Sequence, residues 1–289
     1  MRLQLSSILL IFLIQLCSAQ LPETDVWLIK LAKDKTSKVV LSEPLNITNR
    51  AGYDNQPSFS KDGKTIFYVS VRDDKQADIY KYQISAKKIT RLTITPESEF
   101  SPVQTEDGNF LSSVVVEKDS AQRIHYISVI LGLHEKVIDV DSIGYCEFLN
   151  ADTLLYYKLT QPHSLRFYVN SSKEDKFLGA SPVRAFKKVN RHTILFGLKD
   201  STQVTFYTYD FFLRKAEVYA TYPGMDEDFI WHSEYGLVKS EGTKLLQYKV
   251  AQKKWELLFD LSGFGIKKIT RFGFDPKNKY LMVVDNPTK

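Results

Sequence analysis

The sequence predicts an all-β protein, specifically a six-bladed β-propeller built from four-stranded antiparallel blades. The first observation is that no long window has the apolar spacing of an amphipathic helix, whereas short runs rich in β-branched and aromatic residues recur throughout. The second is a hairpin pattern that returns every roughly 39 to 45 residues, the length of one propeller blade. The third is that unmatched strands at the two ends of the chain together complete one further blade.

The hairpin pattern is clearest in QPSFSKDGKTIFYVS, residues 56–70. Two runs of alternating apolar and polar residues flank Asp62-Gly63, and glycine readily adopts the positive φ that a tight hairpin turn requires. Further versions of the pattern, most of them weaker, occur at residues 107–108, 150–152, 190–191, 234–236 and 275–278. Because a second pair of strands follows each of the first five hairpins, each of them predicts one complete blade.

The ends of the chain predict how the ring closes. The sixth hairpin, residues 268–285, has no strand pair after it, and the early strands VWLIKLA and SKVVL have no hairpin before them. Joining the two gives a sixth blade with strands from both termini, which protects strand edges that otherwise promote aggregation. We therefore expect residues 20–289 to form a single propeller domain.

Residues 1–19 have the pattern of a secretory signal peptide. Arg2 precedes an apolar run that ends at Leu16, and small residues lead to the expected cleavage site after Ala19. We expect export, to the periplasm or out of the cell. Lipidation at Cys17 is the alternative, and it is disfavoured because Leu16 replaces the small residue that lipidation signals carry before the cysteine.

Composition narrows the classes of function. The net charge is +5 at pH 7 with 43% hydrophobic residues, which fits a globular protein without a strong basic field. Solvated blade edges explain the basic clusters better than nucleic-acid binding does.

Once the predicted signal peptide is removed, Cys146 is the only cysteine, so no intrachain disulfide can form. No later apolar run is long enough to span a membrane, and we expect a monomer.

Residues 43–117 resemble the WD-type repeat of TolB-like six-bladed propellers. The matching positions are Pro57, Phe59, Ser60, Asp62, Gly63, Lys64 and Ile66, then Asp78, Ile79 and Tyr80, then Thr90, Arg91, Leu92 and Thr93. The resemblance implies an exported bacterial protein, and propellers of this kind serve as envelope scaffolds, as sensors and as domains that cap serine peptidases. Repeat residues are structural, so the resemblance indicates the fold more strongly than the function.

Candidate binding residues lie in the loops before the innermost strands, because these loops converge on one mouth of a propeller's central channel. They are Tyr53, Asp54, Asn55, Gln56, Glu97, Glu99, Asp141, Tyr145, Arg184, Asp226, Glu227, Asp228, Lys267 and Lys268. Carboxylates that converge must be solvated, paired or bound to a cation. We favour solvated turn caps, since oxygen ligands cannot be recognised from spacing; no cofactor is assured, and calcium stays open.

No catalytic residue can be assigned from the sequence. The five histidines have no zinc-site spacing, and neither a Gly-x-Ser-x-Gly elbow nor a glycine-rich phosphate loop is present. Cys146 fits a buried small hydrophobic residue better than a nucleophile.

Three hypotheses for the function remain. The leading one is an exported platform that binds another envelope protein or a small ligand, rather than an enzyme. A second is a calcium-centred hydrolase of the lactonase or phosphotriesterase type, with ligands from Asp54, Asn55, Glu99 and Asp228. The third is a purely structural component of the cell envelope.

Overall fold

The computed structural model describes residues 21–73 and 75–287, and its regular structure is almost entirely β-strand. The predicted signal peptide lies outside the described residues. The strands are β1 (Asp25–Lys33), β2 (Val39–Asn46), β3 (Tyr53–Phe59), β4 (Thr65–Val71), β5 (Ala77–Gln83), β6 (Lys88–Arg91), β7 (Ser98–Gln104), β8 (Phe110–Val116), β9 (Gln122–Ser128), β10 (His134–Lys136), β11 (Ile143–Phe148), β12 (Thr153–Lys158), β13 (Ser164–Val169), β14 (Glu174–Ala180), β15 (Pro182–Lys188), β16 (Thr193–Lys199), β17 (Gln203–Asp210), β18 (Lys215–Pro223), β19 (Phe229–His232), β20 (Gly236–Glu241), β21 (Lys244–Lys249), β22 (Lys254–Asp260), β23 (Ile269–Phe274) and β24 (Tyr280–Asp285).

Helical structure in the described residues is limited to two 3₁₀ turns, Val250–Gln252 and Ser262–Phe264. Neither turn has the length or the apolar run that crossing a membrane requires.

The strands form six four-stranded antiparallel sheets, each of which is one blade. Five blades are consecutive meanders, β3–β6, β7–β10, β11–β14, β15–β18 and β19–β22. The sixth has the strand order β2-β1-β24-β23, so strands from both ends of the chain close the ring. Within it, Val26 pairs with Val284 and Ile29 pairs with Leu281, and all four side chains are buried. The predicted six-bladed all-β fold is confirmed.

Alternate residues of one strand pack against different neighbouring blades. In β4, Ile66 and Tyr68 pack with Met282 of the closing blade, whereas Phe67 packs with Leu111 of the next blade along the chain. Side chains on a strand alternate between its two faces, and here both faces are buried. Burial of both faces explains why the sequence of β4, TIFYVSV, is an almost continuous apolar run.

Side-chain acceptors cap the inner hairpin of every blade. In the first hairpin, the Asp62 carboxylate accepts hydrogen bonds from the Ser60 hydroxyl at 2.7 Å and from the Lys64 backbone N–H at 3.0 Å. The acceptors in the other five hairpins are Asp107, Asn150, Asn190, His232 and Asp275. The hairpins that have lost the Asp-Gly pair therefore keep the cap, as asparagine, aspartate or histidine.

We expect Asn150→Ala to lower the free energy of unfolding by about 1 kcal/mol, the typical net value of such hydrogen bonds. The Asn150 Oδ1 atom accepts hydrogen bonds from the backbone N–H groups of Asp152 and Thr153, each at 2.8 Å. In the variant both N–H groups would have to donate to water instead. Urea denaturation measures the change. Gln252→Ala, at an exposed turn position, is the control and should change stability by less than about 0.5 kcal/mol. Equal stability of the two variants would show that the cap contributes nothing.

The positions that resemble the TolB repeat stabilise the blade β3–β6 and join it to the next blade. Arg91 contacts the buried Asp78 carboxylate at 2.7 Å, between neighbouring strands β6 and β5. The Thr93 hydroxyl accepts a hydrogen bond from the Ile79 N–H at 2.9 Å and donates to Glu99 at 2.8 Å. These contacts are structural, in agreement with the expectation that the repeat indicates a fold rather than an activity.

Candidate functional site

The first strands of the six blades, β3, β7, β11, β15, β19 and β23, surround the axis of the ring and enclose a cavity of about 410 Å³. We call this cavity the axial cup. One end is lined by Gln56, Tyr145, Arg184, Asp228 and Arg271, and the other end reaches the inner hairpins at Lys61 and Pro276. Its volume lies within the range of small-molecule binding sites.

Polar side chains lie across the axis at one end of the cup and form what we call the axial layer. Its members are Tyr53, Asn55, Gln56, Tyr145, Arg184, Asp228 and Arg271. The third residue of β11, β15 and β23 supplies Tyr145, Arg184 and Arg271, respectively. The ring symmetry of the fold therefore brings together residues that are far apart in the chain.

Arg184 and Asp228 form a bidentate ion pair in the axial layer. The Arg184 Nε atom donates to Oδ1 of Asp228 at 3.2 Å, Nη2 contacts Oδ2, and Nη2 also donates to the Thr270 carbonyl at 2.8 Å. Burial alone would lower the pKa of the Arg184 guanidinium, but the Asp228 carboxylate outweighs this effect and raises the pKa above its usual range. The bidentate contact therefore holds each group in a fixed orientation.

Arg271 has only uncharged partners in the axial layer. Its Nε atom donates to Oδ1 of Asn55 at 3.0 Å, and its Nη2 atom donates to the Tyr145 hydroxyl at 3.3 Å. The guanidinium carbon lies 5.4 Å from the centre of the Tyr145 ring. No carboxylate of the described residues forms an ion pair with Arg271. With two guanidinium groups and one carboxylate, the axial layer carries one positive charge without a counter-charge.

Backbone irregularities direct Gln56 and Ser101 toward each other. Both residues have positive φ, 54° and 52°, and strand pairing shifts register beside each of them, between Asn55 and Ser58 and between Phe100 and Val103. Such bulges re-aim side chains. The Gln56 Oε1 atom accepts from the Ser101 N–H at 2.6 Å, while Gln56 Nε2 donates to the Tyr53 hydroxyl at 3.1 Å.

Tyr53 is buried beside the two arginines of the axial layer. Burial raises the pKa of its hydroxyl, although the nearby Arg271 guanidinium lowers it in part. At neutral pH Tyr53 is therefore an uncharged hydroxyl, and it adds no counter-charge to the axial layer.

The walls of the cup are mostly apolar. The apolar lining consists of Pro57, Phe59, Pro102, Val103, Ala185, Phe186, Phe229, Ile230, Trp231, Phe272, Phe274 and Met282. Cys146 also lines the cup, and burial raises the pKa of its thiol to about 12. The thiol stays protonated near neutral pH, which agrees with a packing role rather than a nucleophilic one.

The lysines at the outer part of the cup have acidic partners. Lys187 Nζ lies 3.1 Å from Glu147, and Lys61 Nζ lies 2.9 Å from Glu106. These two lysines therefore add little net charge to the cup, which distinguishes them from Arg271.

The structure brings six of the sequence-predicted candidates together in the axial layer: Tyr53, Asn55, Gln56, Tyr145, Arg184 and Asp228. Of these six, Gln56, Tyr145, Arg184 and Asp228 line the cup itself, whereas Tyr53 and Asn55 contact residues that line it. The remaining candidates neither line the cup nor belong to the axial layer; they are Asp54, Glu97, Glu99, Asp141, Asp226, Glu227, Lys267 and Lys268. The cup therefore extends from the axial layer toward the inner hairpins, and not toward the loops from which most candidates were chosen.

The candidates outside the cup have other contacts. Asp54 is fully buried and lies 3.0 Å from the Arg50 guanidinium, and Glu227 forms an ion pair with Lys199. The Lys268 backbone N–H donates to Asp285 at 2.8 Å. Each of these contacts supports a loop at the face opposite the inner hairpins.

The four residues expected to supply calcium ligands do not converge on one point. Three of them contact an arginine and the fourth contacts threonine hydroxyls: Asp54 with Arg50, Asn55 with Arg271, Asp228 with Arg184, and Glu99 with Thr93 and Thr95. Residues 21–73 and 75–287 contain no group of three or more His, Cys, Asp or Glu side chains placed to hold a metal. Asn55 and Asp228, the two of these residues that belong to the axial layer, each accept a hydrogen bond from an arginine guanidinium.

Two features were not identified from the sequence. Arg271 was absent from the candidates, although its position as the third residue of an inner strand matches that of Arg184. A histidine pair was also missed: the β9–β10 pairing places Nδ1 of His125 2.9 Å from Nδ1 of His134, and Nε2 of His125 2.8 Å from Glu117. Strand register, rather than spacing along the chain, brings this pair together.

Comparisons with solved structures show the same architecture in other proteins. A protein assigned as TolB from Agrobacterium tumefaciens matches with a TM-score of 0.63 at 11% identity, covering 91% of this chain and 98% of that one. TolB from Acinetobacter baumannii matches with a TM-score of 0.57 at 11% identity, covering 90% of this chain and 63% of that one. This chain has a TolB-like six-bladed propeller fold.

An oligogalacturonate lyase solved in complex with manganese also matches this TolB-like propeller, with a TM-score of 0.57 at 10% identity, covering 89% of this chain and 82% of that one. No protein-family profile matches the sequence, and no curated protein is significantly similar to it. The fold is therefore shared with proteins of different activities, and the function must be argued from the cup itself.

Proposed function

We propose that this TolB-like propeller is an exported binding protein of the bacterial cell envelope, and that it holds its ligand in the axial cup. The observation that carries the proposal is the cup of about 410 Å³, with apolar walls and a fixed polar layer at one end. Ligand sites typically combine a mostly apolar concavity with a few well-oriented polar groups. The resemblance of residues 43–117 to TolB-like repeats and the signal pattern of residues 1–19 support the cellular location.

The polar groups of the cup are suited to binding rather than to catalysis. The Cys146 thiol stays protonated near neutral pH, and Arg184 and Asp228 are held by each other. His232 lines the cup, but its Nδ1 atom accepts backbone hydrogen bonds from Glu234 and Tyr235 at 3.1 and 3.2 Å. These groups hold positions, and a rigid, preformed site is what a binding platform needs.

Filling the cup tests the proposal. Ala185 lines the cup and also packs against a buried hydrophobic cluster, so Ala185→Trp is expected to lower stability by about 1–3 kcal/mol, and only a variant that circular dichroism shows to be folded is used. We expect the folded variant to lose ligand binding, because the indole narrows the cup. The matched control is Leu257→Trp, which adds the same side chain at an exposed position of β22. The measurement is thermal stabilisation of each protein by a chemically diverse ligand library, since a bound ligand stabilises by about 2.7 kcal/mol at one hundred times its Kd.

Support requires compounds that stabilise the unmodified protein and Leu257→Trp but not Ala185→Trp. The proposal fails if no compound stabilises the unmodified protein, or if Ala185→Trp responds to the same compounds.

A further inference from the structure

We propose that the axial cup selects a ligand with one carboxylate group attached to an apolar body, and that Arg271 binds the carboxylate. This inference rests on the proposed binding function and adds the chemical class of the ligand. Its basis is the placement of one uncompensated guanidinium at the end of an otherwise apolar cavity.

The hydrogen bonds of Arg271 leave part of its guanidinium available. The Arg271 Nε–H donates to Asn55, and one N–H of Nη2 donates to Tyr145. The Nη1 atom has no hydrogen-bond partner among the described residues. A guanidinium has five N–H donors in a planar fork, and a carboxylate accepts two of them side by side. The edge formed by Nη1 and Nη2 is therefore free to bind a carboxylate.

Tyr145 can add a further contact to the same ligand group. Its hydroxyl oxygen accepts the hydrogen bond from Arg271, and a tyrosine hydroxyl can accept and donate at the same time. Its own hydrogen is then available to a ligand oxygen beside the guanidinium. The hydroxyl and the guanidinium together would present three converging donors to one anion.

The charge of the axial layer favours a monoanion. Arg184 is neutralised by Asp228, so a single positive charge is left for the ligand. A dianion would leave one negative charge uncompensated in a partly enclosed site, close to the Asp228 carboxylate, and unpaired buried charge is costly. A singly ionised carboxylate matches the site, whereas a doubly ionised phosphate does not.

The walls determine what should be attached to the carboxylate. Pro57, Pro102, Phe186 and Trp231 line the cup beyond the axial layer, and the lysines farther out are already paired with glutamates. An apolar body gains free energy from contact with such walls, at about 25 cal/mol for each Å² removed from water. The same chemistry occurs in free aromatic or branched-chain acids and at the C-terminus of a peptide that ends in an apolar residue.

Matched acids and amides test the proposal directly. The probes are 3-phenylpropionate, 4-methylpentanoate and the peptide acetyl-Gly-Gly-Gly-Phe, each compared with its primary amide by isothermal titration calorimetry. We expect the acids to bind at least about tenfold more tightly than the amides, as charge-assisted hydrogen bonds require. The free acids and the peptide are separate arms, so their relative affinities identify the source of the carboxylate.

Arg271→Gln should remove the preference for acid over amide, and Arg271→Lys should restore it only in part, because lysine keeps the charge but not the planar fork. The control is Arg214→Gln, which removes the same charge from an exposed turn between β17 and β18 and should behave like the unmodified protein. Circular dichroism confirms that each variant is folded.

Acids and amides that bind equally well would overturn the carboxylate inference while leaving the cup as a binding site. The inference also fails if none of the acids binds, or if Arg271→Gln keeps the preference. Failure of the proposed function itself is judged separately, from the thermal stabilisation of Ala185→Trp by the ligand library.

Discussion

Replacing Arg184 with methionine is expected to lower the free energy of unfolding by about 3 kcal/mol, the lower end of the cost of breaking a buried ion pair. The Asp228 side chain is only 10% exposed, and Arg184 is its ion-pair partner. Without the guanidinium, the carboxylate is desolvated and uncompensated, and the Thr270 carbonyl also loses a donor. Methionine keeps much of the apolar volume of arginine, so the loss reports on charge rather than on packing. Urea denaturation at neutral pH measures it.

A second variant separates the charge from the loss of contacts. In Arg184→Met/Asp228→Asn the uncompensated carboxylate is gone, and we expect most of the stability to return. Removing both partners of a buried pair costs much less than removing one of them. A double variant no more stable than Arg184→Met would show that the ion pair does not determine the effect.

The axial layer explains why one arginine can be structural while its neighbour is available for a ligand. Arg184 is held by a carboxylate, whereas Arg271 is held by an amide oxygen and a hydroxyl. Uncharged partners fix the direction of a guanidinium without neutralising it. The fold thus preorganises a cation at the axis, and preorganisation is what reduces the entropic cost of binding.

The architecture could be predicted from the sequence because it depends on local chemistry. Turn chemistry around Asp62-Gly63 and its weaker repeats specifies the hairpins, and the hairpin period specifies the blades. The orphan strands at the two ends left only one arrangement that completes a blade. Even the altered hairpins at Asn150 and Asn190 retain the side-chain cap that stabilises the turn.

The site could be predicted only in part, because the direction of a side chain depends on strand irregularities that the sequence does not show. Bulges beside Gln56 and Ser101 decide which residues of β3 and β7 face the axis. Glu99 was expected at a channel mouth, yet it is fully buried against threonine hydroxyls. Arg271 lies three positions after Lys268, a loop candidate, and strand pairing alone places it in the axial layer.

Glu99 is responsible for the second large effect that we expect, a change in stability with pH. Burial raises the pKa of the Glu99 carboxyl to about 7, although hydrogen bonds from Thr95 and Thr93 lower it in part. The pKa of an unperturbed glutamate is 4.5. Between these two values the folded protein binds more protons than the unfolded chain, so the stability due to this group falls as pH rises through the window. With about 1.4 kcal/mol for each pKa unit, the loss is about 3 kcal/mol once Glu99 is ionised.

Glu99→Gln should remove this loss, because an amide never ionises and its oxygen can still accept a threonine hydroxyl. We expect the variant to gain about 3 kcal/mol relative to the unmodified protein between about pH 5 and about pH 8, measured by urea denaturation across that range. Burial also raises the pKa of Asp54 and lowers the pKa of His134, so these groups contribute to the pH dependence of stability as well. Both residues are present in both proteins, and the difference between the two profiles therefore reports on Glu99 alone. Glu135→Gln removes the same charge at an exposed position of β10 and should give no such trend. A Glu99→Gln profile parallel to that of the unmodified protein would mean that Glu99 ionises freely in the folded state, and that the loop before β7 is more open to water than its burial indicates.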